Sequence, residues 1–579
     1  MGLWKIAYEK WLNKPDLDAQ FRKQLEAISG DTKQLEDSFY KDLEFGTGGI
    51  RGILGPGTNR LNTYTIHKAS EGLAQYIVEH GDEAKARGVV IAYDCRHKSP
   101  EFALEVAKTL GYHGIQTYVF ESLRPTPELS FGVRYLHAYA GVMITASHNP
   151  PEYNGLKVYG EDGGQVIGDI ADDIVAKVNA VEDELAIPTA DDQKLKASGL
   201  LKVISDQVDE PYLKSLQSVV VNQSVIDDVA DDLKVVYTPI HGTGHPTVKA
   251  ALQAIGFQHV DIVKEQEQPD PNFSTVESPN PEEAAAFEMA MAYGEHIDAD
   301  LLLATDPDAD RMGVAVKKSD GQYGVLTGNQ IGALMLHYLI TEKKKQKTLT
   351  DHAVVLKTIV TSELGRDIAQ AYGLKTIDTL TGFKYIAEKI NEFTETNEHE
   401  FLIGYEESYG YLIRDFARDK DAVQACLLIS EVAAYYKAKG MTLYDGLMAI
   451  FKTYGYYQES LESIRLAGKE GAEKISNIIS TFRHDPPQAI ANHEVIVVED
   501  YETSERTYVK KMEKETIHLP TSNVLKYKLD NGAWVCLRPS GTEPLIKIYY
   551  GVKEASLESS QHLLEALKKD VMARVRNVS

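Results

Sequence analysis

The stretch GVMITASHNPPEYNGLKVY, residues 141–159, contains an apolar run that ends abruptly at Ser147. The part AGVMITA is apolar and uncharged, which is typical of a short buried strand. Pro150 and Pro151 cannot extend a strand ladder or a helix, so the chain has to turn directly after the run. The pattern predicts a serine hydroxyl that a stiff turn presents at the end of a strand. An isolated turn serine more often bonds only its own backbone, so the rest of the chain has to decide between the two interpretations.

The same order of apolar run and polar turn recurs along the chain. It is found in GVVIAYDCR, in LKVVYTPIHGTG (233–244), in ADLLLATDPDADR (299–311) and in FLIGYEESYG (401–410). Helical patterns alternate with these runs, which is the signature of α/β modules with mixed or parallel sheets. In such sheets the loops at the carboxyl ends of the strands build the sites. The sequence therefore predicts an α/β fold made of several similar modules, with the polar motifs at the strand ends.

The last part of the chain has a different pattern. Three runs of strand type, EVIVVEDY, NVLKYKLDNGAWVCLRPSG and LIKIYYG, are followed by a final helical pattern. The DNG turn inside the second run indicates an antiparallel hairpin, so we expect a separate α+β domain here. The predicted domains are 1–205 with the serine loop, 206–325 with the acidic loop, 326–450 with the GYEESYG loop, and 451–579 with the RPSGTEP loop.

Composition limits the classes of function. The chain has 579 residues, too many for one core, and a formal net charge of −25. Nucleic acids and anionic membranes are bound through Lys and Arg, so this charge disfavours both as partners. No apolar run approaches the roughly 18 residues of a membrane helix, and the start of the sequence lacks a signal-peptide pattern. The three cysteines are far apart and fit reduced thiols. We expect a cytoplasmic protein.

The segment ATDPDADRMG places Asp306, Asp308 and Asp310 in alternation after an apolar strand. Three carboxylates this close repel one another unless cations neutralise them, and hard oxygen ligands suit Mg²⁺ or Ca²⁺. The EF-hand interpretation fails, because Arg311 and Lys317 stand where that loop has Gly and Glu. A solvated acidic turn is the alternative, and the position at a strand end favours the metal site.

Three further segments carry polar side chains suited to a phosphorylated sugar. FGTGGIRG (45–52) has glycines whose amides could approach an anion, with Arg51 adding charge. In GYEESYGY (404–411), Glu406 and Ser408 would lie on one side of an extended segment and hold neighbouring hydroxyls. RPSGTEPLIKIYY (538–550) combines an arginine fork, hydroxyls and backbone amides in a phosphate cradle. Each motif alone is ordinary; together they indicate phosphoryl transfer on a phosphorylated sugar.

In these motifs and their order the chain resembles the α-D-phosphohexomutase family, the phosphoglucomutase and phosphomannomutase enzymes. The matching segments are TASHNPPEYNGLKVY, DPDADR, TGFKYI with GYEESYG, and RPSGTEP. In its length and its GYEESYGY loop, the chain is most similar to bacterial phosphoglucomutases and some phosphopentomutases. The resemblance implies three α/β domains and a C-terminal α+β domain around a central cleft.

The resemblance also implies roles for individual residues. Ser147 would carry a phosphoryl group and, with Asp306, Asp308 and Asp310, hold one Mg²⁺. The remaining residues of the implied site are His148, Lys157 and Arg51 for catalysis, and Arg311, Lys384, Glu406, Ser408, Lys420, Arg538, Ser540, Gly541 and Thr542 for substrate binding. A sugar hydroxyl needs a base to react, and Lys157 and His148 are the candidates for it.

The leading hypothesis is the interconversion of α-D-glucose 1-phosphate and glucose 6-phosphate, with glucose 1,6-bisphosphate as intermediate and activator. Mannose phosphate or pentose phosphate interconversion on the same machinery is the alternative. Many phosphomannomutases have a histidine after the ESG of the loop that binds the sugar. This chain has Tyr409-Gly410-Tyr411 there, which disfavours mannose phosphate as the substrate. A metal-dependent phosphatase and a non-catalytic sugar-phosphate sensor are two further hypotheses. The expected assembly is a monomer or a small homo-oligomer.

Overall fold

Two units of the chain are distinguished by their internal contacts in the computed structural model. Unit 1 comprises residues 1–354 and 383–444, and unit 2 comprises 355–382 and 445–579. The residues that the structure describes are 2–46, 48–466, 468–540 and 545–578. Gly541 and Thr542 therefore lie outside the described residues. The domain boundaries at 205, 325 and 450 stay predictions.

Three helices precede the first sheet, as the spacing of apolar residues predicts. They are α1 (Leu3–Leu12), α2 (Ala19–Ala27) and α3 (Thr32–Phe39). Trp11 and Phe39 pack edge to face at the centre of a small core of their own. The Trp11 indole also donates a hydrogen bond of 2.8 Å to Glu184 Oε1, so the helices are attached to the first α/β module.

The first α/β module contains a six-stranded mixed sheet. Its elements are β1 (Gly49–Ile53), α4 (Thr63–Glu79), α5 (Gly81–Arg87), β2 (Val89–Tyr93), α6 (Ser99–Tyr112), β3 (Thr117–Phe120), α7 (Thr126–Tyr135), β4 (Ala140–Ile144), β5 (Tyr153–Tyr159), α8 (Gly168–Ala180), α9 (Asp192–Ser198), β6 (Leu201–Ile204) and α10 (Asp206–Leu216). The strand order is β1-β5-β4-β2-β3-β6. Strand β2 is parallel to β3 and β4, whereas β5 is antiparallel to both of its neighbours. Every residue of β4 is buried, as its apolar sequence predicts.

The second module repeats this plan on a five-stranded sheet. Its elements are α11 (Gln223–Asp227), β7 (Val235–Thr238), α12 (Thr247–Ala254), β8 (Val260–Ile262), α13 (Lys264–Glu267), α14 (Glu288–Ile297), β9 (Leu301–Thr305), β10 (Met312–Lys317) and β11 (Tyr323–Val325). The order is β11-β10-β9-β7-β8, with β7 parallel to β8 and β9. Strand β10 is antiparallel to both β9 and β11.

The third run of helices and strands continues the alternation. It consists of α15 (Gly328–Lys345), β12 (Ala353–Thr358), α16 (Leu364–Ala371), β13 (Lys375–Thr379), α17 (Phe383–Thr396), β14 (Glu400–Tyr405), β15 (Tyr411–Leu412), α18 (Ala422–Lys437) and α19 (Leu443–Tyr454). Within unit 1, β14 and β15 form an antiparallel pair in which Tyr405 lies opposite Tyr411. The predicted fold class, α/β modules with mixed sheets, is confirmed.

One detail of the prediction is wrong. The serine loop, the acidic loop and the GYEESYG loop each connect two antiparallel strands, β4 to β5, β9 to β10 and β14 to β15. We expected the acidic loop and the GYEESYG loop to lead into helices, because their apolar runs resemble those of parallel sheets. Each returning strand pairs with the strand before its loop, so each site loop is held at both ends by a ladder of main-chain hydrogen bonds.

The C-terminal part of unit 2 is the predicted α+β domain. Its elements are β16 (Tyr456–Arg465), α20 (Gly468–His484), β17 (Ala489–Ile490), β18 (His493–Asp500), β19 (Glu505–Tyr508), β20 (Glu513–Thr516), β21 (Leu525–Leu529), β22 (Trp534–Pro539), β23 (Leu545–Glu554) and α21 (Leu557–Asn577). The strands pair antiparallel in the order β16-β23-β22-β21-β18-β19-β20, with β17 on β18. The DNG turn joins β21 to β22 with Gly532 at a φ of +84°, which confirms the predicted hairpin. One sheet face packs its apolar residues against α20 and α21.

Two expectations from composition can be compared with the fold. Cys95, Cys426 and Cys536 are buried free thiols. In the described part of the chain, no helix combines the length and the apolar character needed to cross a membrane.

Candidate functional site

Ser147 lies in the turn that follows β4, 4% exposed. Its backbone φ is +52°, a left-handed conformation that serine rarely adopts. The hydroxyl Oγ donates a hydrogen bond of 2.7 Å to Asp306 Oδ2 and lies 3.2 Å from His148 Nδ1. The predicted presented serine is thus directed at the acidic loop, although it belongs to a different module.

The three aspartates of the acidic loop converge. One oxygen from each of Asp306, Asp308 and Asp310 lies within 4.8 Å of the others, and all three side chains are buried. Within the described structure, Oδ1 of Asp308 and Oδ1 of Asp310 are buried acceptors without a hydrogen-bond donor. Buried carboxylate oxygens without donors need a cation, so this donor set fits a hard divalent metal ion.

The pKa values of these aspartates reflect their crowding. Burial and the charges of Asp308 and Asp310 raise the pKa of Asp306 well above its ordinary range. Burial by itself would also raise the pKa of Asp308, but the ammonium of Lys157 holds it below its ordinary range. The cluster therefore keeps negative charge on Asp308, next to the unpartnered oxygens.

Two lysines from different modules reach the acidic loop. Lys157 Nζ lies 2.9 Å from Asp308 Oδ2 and 3.4 Å from Asp310 Oδ2, and Lys420 Nζ lies 3.0 Å from Asp310 Oδ2. Burial would lower the pKa of both lysines, yet the surrounding aspartates hold both pKa values above the usual one. Both side chains are therefore cationic and partly neutralise the loop.

Arg311 and Arg51 lie at the edges of this cluster. Arg311 donates a 2.6 Å hydrogen bond to Glu282 Oε1, and its Nε is 3.8 Å from Asp310 Oδ1. Arg51 is exposed and donates to Asn149 Oδ1 at 2.8 Å, so it contacts the serine turn itself.

Two glycines of the glycine-rich segment, Gly49 and Gly52, lie in strand β1 on either side of Arg51. Gly49 lies opposite Lys157 in the β1–β5 ladder. A Cβ on Gly49 would stand 2.1 Å from the Leu156 carbonyl oxygen, so this glycine allows the two strands to approach closely.

The GYEESYG segment forms a tight turn between β14 and β15. Glu406 is buried, its N–H donates to the Gly410 carbonyl at 2.9 Å, and Tyr409 has a φ of +63°. The Met312 N–H donates to the Tyr409 carbonyl at 3.1 Å, so the turn lies beside the acidic loop. Glu406 and Ser408 are thus in the same unit as Ser147 and the aspartates.

Of the remaining predicted residues, Lys384 is the second residue of helix α17, with its Nζ 5.2 Å from the ring centre of Tyr385. Arg538 is half-buried in β22 of unit 2, directly opposite Lys547 of β23. The Ser540 N–H donates to the Leu545 carbonyl at 2.7 Å. Their roles toward a substrate stay predictions, as do those of Gly541 and Thr542.

Sequence reasoning missed several residues that hold the site. Thr126 donates from Oγ1 to Asp308 Oδ2 at 2.9 Å, and Tyr159 donates to Asp419, which in turn binds Lys420. Arg96 lies buried beneath the serine turn. The charged residues of YDCR, which follow the end of β2, were the signal from which Arg96 could have been found. Thr126 has no signal of this kind, because it is the first residue of an ordinary helix.

In the segment RDKDA (418–422), the sequence offers Arg418 and Lys420 as candidate cations for the site, and Arg418 has a different place. Arg418 of the RDKDA segment is 1% exposed and bonds the Asp415 carbonyl and Thr394 Oγ1. These partners belong to its own loop and to α17, so its contacts are structural.

Comparison with known proteins agrees with this geometry. Four phosphoglucomutase/phosphomannomutase family models match the chain: the alpha/beta/alpha domain I at residues 42–185, domain II at 210–321, domain III at 327–454 and the C-terminal domain at 493–565. Proteins named phosphoglucomutase from Staphylococcus haemolyticus and a bovine strain of Staphylococcus aureus are each 40% identical to it. The first match covers 90% of this chain and 92% of the relative, and the second 96% and 98%.

Solved structures share the fold at lower identity. Parafusin from Paramecium, described as a phosphoglucomutase in an open form, has a TM-score of 0.70 at 17% identity and covers 93% of this chain and 95% of its own. A phosphomannomutase-type protein from Thermus thermophilus has a TM-score of 0.68 at 22% identity and covers 93% and 100%. With four family models spanning most of its length and relatives at 40% identity, the chain belongs to the phosphoglucomutase/phosphomannomutase family of phosphohexomutases.

Proposed function

We propose that this phosphohexomutase interconverts α-D-glucose 1-phosphate and glucose 6-phosphate through a phosphoserine at residue 147 and a glucose 1,6-bisphosphate intermediate. The observation that carries the proposal is the Ser147 hydroxyl, 2.7 Å from Asp306 within a buried aspartate triad. A binding protein would need no reactive serine at that position. The sugar-phosphate substrate follows from the family, and the preference for glucose is the specific part of the proposal.

The residues of the triad fit Mg²⁺, with phosphorylated Ser147 as the further ligand. When bound, the ion would supply positive charge to the oxygens of the transferring phosphoryl group. Lys157 and Lys420, cationic in the structure, add charge from the protein on the same side.

The proton and the phosphoryl group move in opposite directions in the proposed reaction. The bond between phosphorus and Ser147 Oγ breaks while a bond forms between phosphorus and a sugar hydroxyl oxygen. The sugar hydroxyl gives up one proton as Oγ takes one up, so one proton passes overall from the sugar to the serine and none is left over. His148 Nδ1, 3.2 Å from Oγ, is placed to deliver that proton. Lys157 is protonated and paired with aspartates, so we assign it to charge stabilisation rather than to proton abstraction.

Tyr409 and Tyr411 of the GYEESYG turn favour glucose phosphate over mannose phosphate as the substrate. The Tyr409 hydroxyl donates to the Leu326 carbonyl at 3.0 Å, and the Tyr411 hydroxyl donates to the Gly328 carbonyl. Both hydroxyls bond main-chain carbonyls and hold the turn. Neither tyrosine therefore takes the place of the histidine that phosphomannomutases often have there. Coupled assays with glucose, mannose and pentose 1-phosphates test the preference. A higher kcat/KM for mannose 1-phosphate than for glucose 1-phosphate would contradict it.

Two measurements test the reaction itself. The mass of the intact protein should show one added phosphoryl group, which unphosphorylated hexose acceptors remove. Isomer formation without release of free phosphate separates a mutase from a phosphatase. We also propose that the enzyme works in the cytoplasm, as a monomer or small homo-oligomer, with no nucleic acid or membrane partner.

Arg538 provides a test of the distal phosphate site. A bisphosphate that turns end for end needs a second pocket that accepts phosphate in both orientations, and an arginine fork can pair two of its oxygens. We expect Arg538→Ala to lower kcat/KM by about 10²-fold, the loss of a charged hydrogen-bonded pair. The variant should also come to depend on added glucose 1,6-bisphosphate.

The matched control for Arg538 is Arg506→Ala. Arg506 lies on β19 of the same sheet and pairs with Glu499 and Glu515, and this variant should keep its activity. An Arg538→Ala enzyme with wild-type KM and no new activator dependence would place the distal phosphate elsewhere.

A further inference from the structure

The serine turn has an arginine at its centre. Arg96 follows β2 and is 1% exposed, and its two terminal nitrogens donate to four main-chain carbonyls of the turn. These are the carbonyls of Ser147 at 2.5 Å, Pro150 at 2.8 Å, Tyr153 at 3.0 Å, and Asn149. One side chain thus bonds four of the seven carbonyls from the serine to the start of β5.

The guanidinium is itself fixed on its other sides. Arg96 Nε lies 3.3 Å from Asp94 Oδ2, and both side chains are fully buried. Asp94 is held in turn, because its Oδ1 accepts hydrogen bonds from Ser99 Oγ and the Arg96 N–H. The face of the guanidinium lies 5.0 Å from the ring centre of Phe273, a residue of the second module. The terminal nitrogens of Arg96 are therefore held facing the carbonyls of the serine turn.

The turn that Arg96 holds is a strained one. A left-handed conformation costs a residue other than glycine about 1–2 kcal/mol, and Ser147 has a φ of +52°. Such strain persists only where the surroundings determine the backbone. The hydrogen bond to the Ser147 carbonyl fixes the peptide that follows the serine, and the Thr145 hydroxyl accepts the Ser147 N–H at 2.8 Å. With both adjacent peptides fixed, Oγ faces Asp306.

We propose that Arg96 is a positioning residue for phosphoryl transfer: it sets the backbone of Ser147 so that the hydroxyl, and the phosphoryl group it would carry, faces the aspartate triad. This inference rests on the proposed function. Arg96 does not bond the Ser147 hydroxyl; its hydrogen bonds go to carbonyls, so it acts only through the backbone.

The test is Arg96→Lys, which keeps the charge. A lysine has three donors on one atom and cannot span four carbonyls in a plane. A small misplacement of a reacting group can cost about 10²-fold, so we expect kcat to fall by 10- to about 100-fold. The KM for glucose 1-phosphate should stay within about threefold, because substrate contacts remain. Transfer from glucose 1,6-bisphosphate to Ser147, followed by intact mass, should slow by the same factor as kcat.

Arg124→Lys is the matched control. Arg124 also stacks on a phenylalanine, Phe120, pairs with an aspartate, Asp209, and donates to a carbonyl. It does not bond the serine turn, so this variant should lose stability and keep kcat. If Arg96→Lys fails to fold, Asp94→Asn loosens the same guanidinium while keeping its donors, and kcat should then fall about three- to tenfold.

The outcomes distinguish a failure of the proposed function from a failure of the proposed role of Arg96. If the wild type carries no phosphoryl group on Ser147, the proposed function fails. If the wild type carries one, and Arg96→Lys or Asp94→Asn transfers it at the wild-type rate, the role of Arg96 is overturned. Equal losses of kcat in Arg96→Lys and Arg124→Lys, in proportion to their loss of Tm, would also overturn it, since that result describes a structural role alone.

Discussion

Replacing Ser147 with alanine should reduce turnover by about 10⁴-fold or more, the loss expected when a covalent nucleophile is removed. The variant loses only the hydroxyl, whose partners in the structure are Asp306 and His148. The aspartate triad and both lysines stay in place. Glucose 1-phosphate and Mg²⁺ should therefore still bind, which calorimetry can measure on the same sample.

The control for this substitution is a buried serine outside the site. Ser430 is fully buried in α18 and donates only to the Cys426 carbonyl. Ser430→Ala should lower the Tm slightly and leave turnover unchanged. The phosphoserine assignment would be wrong if Ser147→Ala retained turnover within tenfold of the wild type, or if it still gained one phosphoryl group from glucose 1,6-bisphosphate.

The second large effect is expected for Asp308→Asn, which keeps the shape of the side chain and removes its charge. Asp308 Oδ2 accepts from Lys157 and Thr126, both at 2.9 Å, and Oδ1 is buried without a donor. An amide would direct N–H groups either at the lysine or at the metal position. We expect kcat to fall by about 10³-fold, and the Mg²⁺ concentration for half-maximal activity to rise.

Chelation tests the same site without mutation. Exhaustive treatment with EDTA should abolish wild-type activity, and added Mg²⁺ should restore it. Glu431→Gln is the matched control, because Glu431 is a fully buried carboxylate bonded to the Tyr338 hydroxyl and backbone amides. Its Mg²⁺ requirement should equal that of the wild type. Full activity after complete chelation would refute the metal site.

Most of the fold could be predicted from local patterns. Apolar runs such as LLLAT became fully buried strands, and the DNG turn became a hairpin because glycine adopts a positive φ without strain. The pairing direction of β5, β10 and β15 was missed. Pairing is decided by which strand lies alongside, and a buried strand has the same apolar composition whether its neighbour is parallel or antiparallel.

The candidate site was predictable where side chains do the chemistry. Carboxylates, lysines and a serine can be recognised as candidate site residues from residue type alone. The structure brings together Ser147, Asp306, Asp308, Asp310, Lys157 and Lys420. Arg96 was missed because its partners are main-chain carbonyls, which every residue has. The sequence could not decide the place of Arg418, since an arginine in a charged segment looks the same whether its guanidinium faces a ligand or a helix.

The acidic loop is fastened to its neighbours by peptide groups. The Thr126 N–H donates to the Asp308 carbonyl, the Met312 N–H to the Tyr409 carbonyl, and the Ala422 N–H to the Ala309 carbonyl. These bonds do not depend on which side chains the loops carry. Exchanging the residues that touch the sugar should therefore leave the scaffold intact, so that a new substrate preference could be acquired one side chain at a time without first rebuilding the loops.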